Sequence, residues 1–242
     1  MSKEAVFLGF PEEFQEKFLI YPPKVKEIIS TKKFNQYRQL LTFSQEELDD
    51  EFLKKKQYSP TPLEFLLSNS YHNKEFEKIA KEAFYFFTRQ NVVFLYEQKI
   101  ILFGKLEKEL KRAKSLKDLV YLDEENFFSF QNKIRECLGE KAIEPPNPNE
   151  HPKIRAMKAK ARYRDKIKAK QGGINLLTSL ASICCMGIGV TPLNIGEMSY
   201  ASLGILINTY QNKEKYEIDI ASIQAGADSK KINPKYWIKN LE

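Results

Sequence analysis

Few residues in this chain could do chemistry. Catalysis needs a nucleophile, a base or a metal set held in place by a scaffold. There are two histidines, His72 and His151, and three cysteines, Cys137, Cys184 and Cys185. His72 follows Tyr71 in what reads as a polar loop and His151 lies in the proline linker; both read as surface residues. Cys184 and Cys185 are adjacent, so on a helix they point about 100° apart. No second pair has zinc spacing, and they read as buried structural thiols. Gly187-Ile188-Gly189 lacks the third glycine of a dinucleotide loop, and no lysine–serine phosphate loop occurs. The carboxylate runs Glu46-Glu47 and Asp49-Asp50-Glu51 read as a solvated helix face, with no acid/base pair singled out. The expectation is a protein that is not an enzyme, with no cofactor and no metal.

The one constellation with a chemical consequence is cationic. Lys153, Arg155, Lys158, Lys160, Arg162, Arg164, Lys166, Lys168 and Lys170 share a segment with one acid, Asp165. Nine cations less one acid give +8 there, against +7 for the whole chain, so the rest is nearly neutral at −1. Interleaved alanines at Ala156, Ala159, Ala161 and Ala169 favour helix over about 153–170. The apolar stripe is thin: Ile154, Met157 and Ala161 on one side, Tyr163 and Ile167 on another. Such a helix is no core helix; it projects, bridges or binds something anionic.

Four readings of that helix stay open. It could hold nucleic-acid phosphates with salt-sensitive affinity, or lie on an acidic protein partner, gaining association rate and register. It could anchor the 26 uncharged residues that follow, Gln171 to Gly196, at a membrane, or act as a solvated spacer. Asn175, Thr178, Ser179, Ser182, Pro192 and Asn194 interrupt the uncharged run, and its clean apolar part, Ile183 to Val190, is too short to span a bilayer. A membrane partner is therefore disfavoured. The anion-facing set is Lys158, Arg162, Arg164, Lys166 and Lys168.

The elements that must carry these residues fall into two parts. All 17 phenylalanines occur at or before Phe130, while seven of ten glycines lie from Gly172 onward. Between them Pro145, Pro146, Pro148 and Pro152 make a stiff extended linker. The expected organisation is a phenylalanine-rich helical domain at 1–142, the linker at 143–152, the basic helix at 153–171 and a small helical domain at 172–242. The expected fold class is mainly α, with one β-hairpin at about 92–103.

Local signals support that division. Ser44 with Glu47 and Thr61 with Glu64 have capping-box spacing, and Pro62 suits a first helical position. Phe76, Ile79, Ala80, Ala83, Phe84 and Phe87 recur at three- and four-residue spacing, one apolar helix face. Val92–Tyr96 and Lys99–Phe103 are strand formers around Glu97-Gln98. A helix from about Glu124 to Leu138 meets Gly139 as a left-handed cap. Thr191-Pro192 predicts the start of a helix reaching about Gln211, with Met198, Ala201, Ile205 and Leu206 facing a core and Tyr200 and Leu203 elsewhere. A separate helix is expected from about Glu214 to Gln224. Tyr210, Tyr216 and Trp237 sit among charges and are the aromatic candidates for partner contact.

Residues Ile183-Cys184-Cys185-Met186-Gly187-Ile188-Gly189 and Pro192 to Ala201 resemble proteins from tail modules of tailed bacteriophages. The same holds for Lys213-Glu214-Lys215-Tyr216-Glu217-Ile218-Asp219-Ile220, for Ala225 to Lys231 and for Pro234 to Ile238. The similarity is to tail assembly chaperones and neighbouring tail-morphogenesis proteins of phages of low-GC bacteria, over about the last 90 residues. It implies a helical protein without chemistry of its own that helps the tape-measure protein and tube subunits assemble through protein–protein contacts; the odd number of cysteines, with no framework spacing, fits a reducing compartment, here the host cytoplasm. The alternatives are a nucleic-acid-binding module using the basic helix and a permanent structural subunit of the virion.

Overall fold

Phenylalanine rings organise the first part of the molecule. In the computed structural model, which describes residues 3–15, 18–52, 58–104, 120–145, 149–151, 153–154, 157–158, 160–161, 164, 176–227, 232, 234 and 236, the chain is mainly α with a few strands. Helix α1 (Lys3–Leu8) precedes a small hairpin of β1 (Glu12–Phe14) and β2 (Phe18–Ile20). Then come α2 (Val25–Thr31), α3 (Phe34–Thr42), α4 (Gln45–Phe52), α5 (Pro62–His72) and α6 (Lys74–Thr88). An antiparallel sheet follows, β3 (Asn91–Leu95), β4 (Ile100–Gly104) and β5 (Val120–Leu122), and α7 (Glu124–Cys137) closes the first part.

Helix α6 forms because its apolar residues fall on one side. Ala80, Ala83, Phe84 and Phe87 are fully buried, and Asn73 Oδ1 accepts from the otherwise unpaired N–H groups of Glu75 and Phe76 at 2.9 and 3.1 Å. Phe84 stacks on Phe130 of α7 (centroids 5.6 Å apart) and meets Phe103 of β4 edge-on at 5.8 Å. Phe18 of β2 stacks on Phe103 at 4.5 Å. One ring cluster thus ties helix, sheet and hairpin together. The expected capping boxes form: Ser44 Oγ accepts from Glu47 N and Thr61 Oγ1 from Glu64 N, both at 3.2 Å, and each glutamate returns the bond.

The expected hairpin at 92–103 is present, with Val92 opposite Phe103 and Phe94 opposite Ile101. It is part of a larger sheet, since β5 pairs Leu122 with Ile101. The β1–β2 hairpin was not anticipated; its alternation of Phe14, Phe18 and Ile20 inward against Leu19 outward is short but real.

In the second part, α8 (Leu176–Cys185) leads through a turn and a 3-10 turn (Ile195–Glu197) into α9 (Tyr200–Gln224). Two expectations are corrected here. Thr191-Pro192 starts only a turn, because Asn194 folds back to accept from Thr191 N and donate to Gly189 O. The true cap is Ser199, whose Oγ accepts from Ser202 N at 3.1 Å. The two helices expected from there to Gln224 are one, because nothing near Asn212 breaks a helix. Leu203, expected outside the core, is 3% exposed and joins Val25, Ile183 and Ile195 in a second apolar cluster.

That cluster joins the two parts. Val25 belongs to α2, and the backbone continues the contact: Val25 N donates to Met198 O at 2.9 Å and Tyr200 N to Pro23 O at 2.8 Å. Ser199 Oγ donates to Val6 O at 2.9 Å and Ser202 Oγ to Phe7 O. Gly139 sits at φ +72, a left-handed conformation that favours glycine, and packs beside Ala201, where an added Cβ would lie a tight 3.2 Å from the Ala201 Cβ.

Candidate functional site

Among the described residues, no group of three or more histidines, cysteines, aspartates or glutamates could hold a metal. His72 ends α5, with Nδ1 2.8 Å from Ser68 O, rather than lying in a loop. His151 Nδ1 accepts from Lys153 N at 3.2 Å, at the start of the basic helix. Burial pushes the Cys137 thiol far up, which disfavours the thiolate form. The reading of Cys184 and Cys185 as buried thiols is corrected. Cys185 is exposed, and Cys184 is half-buried against the second cluster, because consecutive helix positions cannot both face one core.

The basic segment carries the candidate site. Its described residues, Lys153, Ile154, Met157, Lys158, Lys160, Ala161 and Arg164, are all helical and all exposed. At the spacing of a regular helix, about 100° per residue, the positions of Lys153, Met157, Lys160 and Arg164 would fall within a narrow arc, and Met157 is 72% exposed. Lys158 points well away from that arc. Its Nζ lies 2.5 Å from Glu150 Oε1 of the linker, and this hydrogen-bonded carboxylate holds the Lys158 pKa above its ordinary value, with Glu46 and Glu144 adding to it. The sequence set is thus divided: Lys158 faces the protein's own linker, while Arg164 shares a cationic face with Lys153 and Lys160. Those two were not singled out, although spacings of seven and four residues mark them. Arg162, Lys166 and Lys168 lie outside the described residues, as does Trp237.

The aromatic candidates separate as well. Tyr210 and Tyr216 are half-buried on α9. Glu214, one turn on from Tyr210, raises the pKa of its hydroxyl. Tyr216 meets Tyr236 edge-on at 5.6 Å, so its ring already has a neighbour from the chain's end. Beyond Leu203, α9 has no fully buried residue. At about 1.5 Å per residue it reaches far past the second cluster.

A second surface escaped notice in the sequence. An open groove of about 590 Å³ runs along α6, lined by Tyr37, Lys74, Lys78, Tyr85, Phe86 and Arg89 among others. Its floor is Phe86 and buried Tyr37. Its carboxylates are engaged from within. Glu82 accepts from Lys33 Nζ and Tyr37 Oη, both at 2.9 Å, which holds its pKa below the usual range, the lysine contributing most. Glu77 pairs with Lys81 at 3.0 Å. Burial, reinforced by Glu77, pushes the Tyr96 hydroxyl up to about 12. Arg89 pairs with Glu27 and lies over the rings of Tyr21 and Phe86, 5.6 and 5.7 Å from their centroids.

Comparison with known proteins concerns the second part. Residues 166–242 match the family model described as the YomV second domain, a phage-type domain, which is consistent with a phage protein. The match spans α8, the 3-10 turn and α9, and it carries no specificity for a tail chaperone. No curated protein and no solved structure matches the chain. No helix among the described residues is long and apolar enough to cross a membrane.

Proposed function

We propose that this is a non-enzymatic phage tail-assembly protein that works by protein–protein contact in the host cytoplasm, with tape-measure or tube subunits as its partners. The observation that carries the proposal is the phage-type family match at 166–242, which coincides with the segments whose residues resemble tail-morphogenesis proteins. The basic helix supplies the means. A face of Lys153, Met157, Lys160 and Arg164, exposed along its length, suits a helical partner with an acidic, partly apolar stripe. Its charges would steer the encounter and set register, and Met157 would supply adaptable apolar contact. Phosphate binding by the same cations is the competing use; the single methionine among them favours protein.

The test is a phage in which this gene is deleted. Tail tubes that are absent or of irregular length, with heads and packaged DNA normal, are the expected outcome. Normal infectious tails would remove the proposal. Probing purified wild-type particles for the protein separates a chaperone, absent from them, from a permanent virion subunit.

A further inference from the structure

We propose that the groove along α6 is a second docking surface, which takes an acidic peptide segment carrying a bulky apolar anchor. Lys74, Lys78, Lys81 and Tyr85 recur at intervals of four, three and four residues, so they line one face of a single helix. Lys81 is engaged by Glu77 and Glu82 by Lys33. Lys74 and Lys78 are exposed one turn apart at the rim; neither is in an ion pair among the described residues, although Lys78 also acts on Glu82 through space. Tyr85 is 50% exposed, although it continues a helix whose other side is buried in the ring cluster. Behind Tyr85 and the lysines lie the buried rings of Phe86 and Tyr37 and the Arg89 side chain, which Glu27 and two aromatic rings hold in place, so the apolar surface open to an anchor is chiefly the Tyr85 ring.

Charge complementarity selects the occupant. The carboxylates in the groove are already neutralised from within, so the charge left for a visitor is positive and confined to two points. A peptide with carboxylates flanking an aromatic or leucine side chain can place its acids on Lys74 and Lys78 and its anchor against the exposed Tyr85 ring. A nucleic-acid backbone needs a continuous cationic track, and Glu77 and Glu82 interrupt this one. The surface lies on the first part of the chain, so it does not depend on what the basic helix binds.

The experiment uses the full chain and a short fluorescein-labelled peptide with a central tryptophan flanked by aspartates and glutamates, read by anisotropy. Saturable binding is expected, weakened at least about tenfold by Lys78→Glu and by Tyr85→Ala, each worth about 1.4 kcal/mol or more. It should be unchanged by Lys160→Gln combined with Arg164→Gln on the basic helix. Both groove positions are exposed, so these variants keep the fold. The proposal is overturned by any of four results: no binding, equal binding by the groove variants, equal binding of the peptide with its acids changed to amides, or displacement by single-stranded oligothymidylate at lower concentration than by unlabelled peptide.

Discussion

Replacing Leu203 by alanine should release the second part of the molecule from the first without unfolding the first. Leu203 is one of four buried residues in the junction cluster, with Val25, Ile183 and Ile195. Removing a buried leucine side chain costs about 2–5 kcal/mol, depending on how far the site collapses. The main core is far larger and shares no buried residue with this cluster, so the loss should appear as a local opening. Across that range, amides of α8 and of the first turns of α9 should exchange from about 30-fold to a few thousand-fold faster, at about 1.4 kcal/mol per decade. Hydrogen–deuterium exchange read by mass spectrometry resolves this by peptide. Amides of α6 and α7 should keep their native rates. Acceleration spread evenly through both parts would refute the idea of a separable junction. No acceleration in α8 and α9 would show that Leu203 does not hold it.

Other outcomes follow from the same geometry. Phe130→Ala removes a fully buried ring stacked on Phe84 and should cost about 3–5 kcal/mol, lowering Tm by roughly 6–20 °C in a scanning calorimeter. Thr61→Ala deletes the cap oxygen over Glu64 N and should cost about 1 kcal/mol, read as a lower urea midpoint with unchanged slope. Acid should act through Glu64 and Glu82, whose pKa values are lowered chiefly by hydrogen bonds from Lys99 and Lys33. A depressed carboxylate contributes stability that is complete above its unfolded pKa of about 4.3 and is lost as pH falls through the lower folded value. A Lys33→Met, Lys99→Met chain should therefore lose less stability on acidification below about pH 5. Equal losses would contradict the assignment.

Much of the first part was readable from residue order, because its signals are local. Capping boxes at Ser44 and Thr61, the α6 stripe and the strand-forming clusters around Glu97 each act over a few residues. The third strand, β5, was not readable, since Val120-Tyr121-Leu122 is short and its partner lies beyond a long intervening segment. The junction was missed for a similar reason. Ser199 reads as an ordinary polar residue until Val6 O is brought to its hydroxyl, and Leu203 looks peripheral until Val25 arrives from α2. Thr191-Pro192 misled because the same signal serves a helix or a turn, and Asn194 decides for the turn. On the basic segment, composition located the charge but not its direction. That Lys158 turns to Glu150 while Lys153, Lys160 and Arg164 face outward depends on where the linker carboxylate falls.

The most direct test of partner contact through the basic helix is the affinity of the full chain for the tape-measure protein of the same phage, measured by calorimetry beside a Lys153→Gln, Lys160→Gln, Arg164→Gln chain. The expected result is a complex that weakens with salt and is at least about tenfold weaker in the triple variant. Equal affinity of the two chains would contradict it, as would no complex with the tape-measure or tube proteins while the native chain binds duplex DNA in a salt-dependent way.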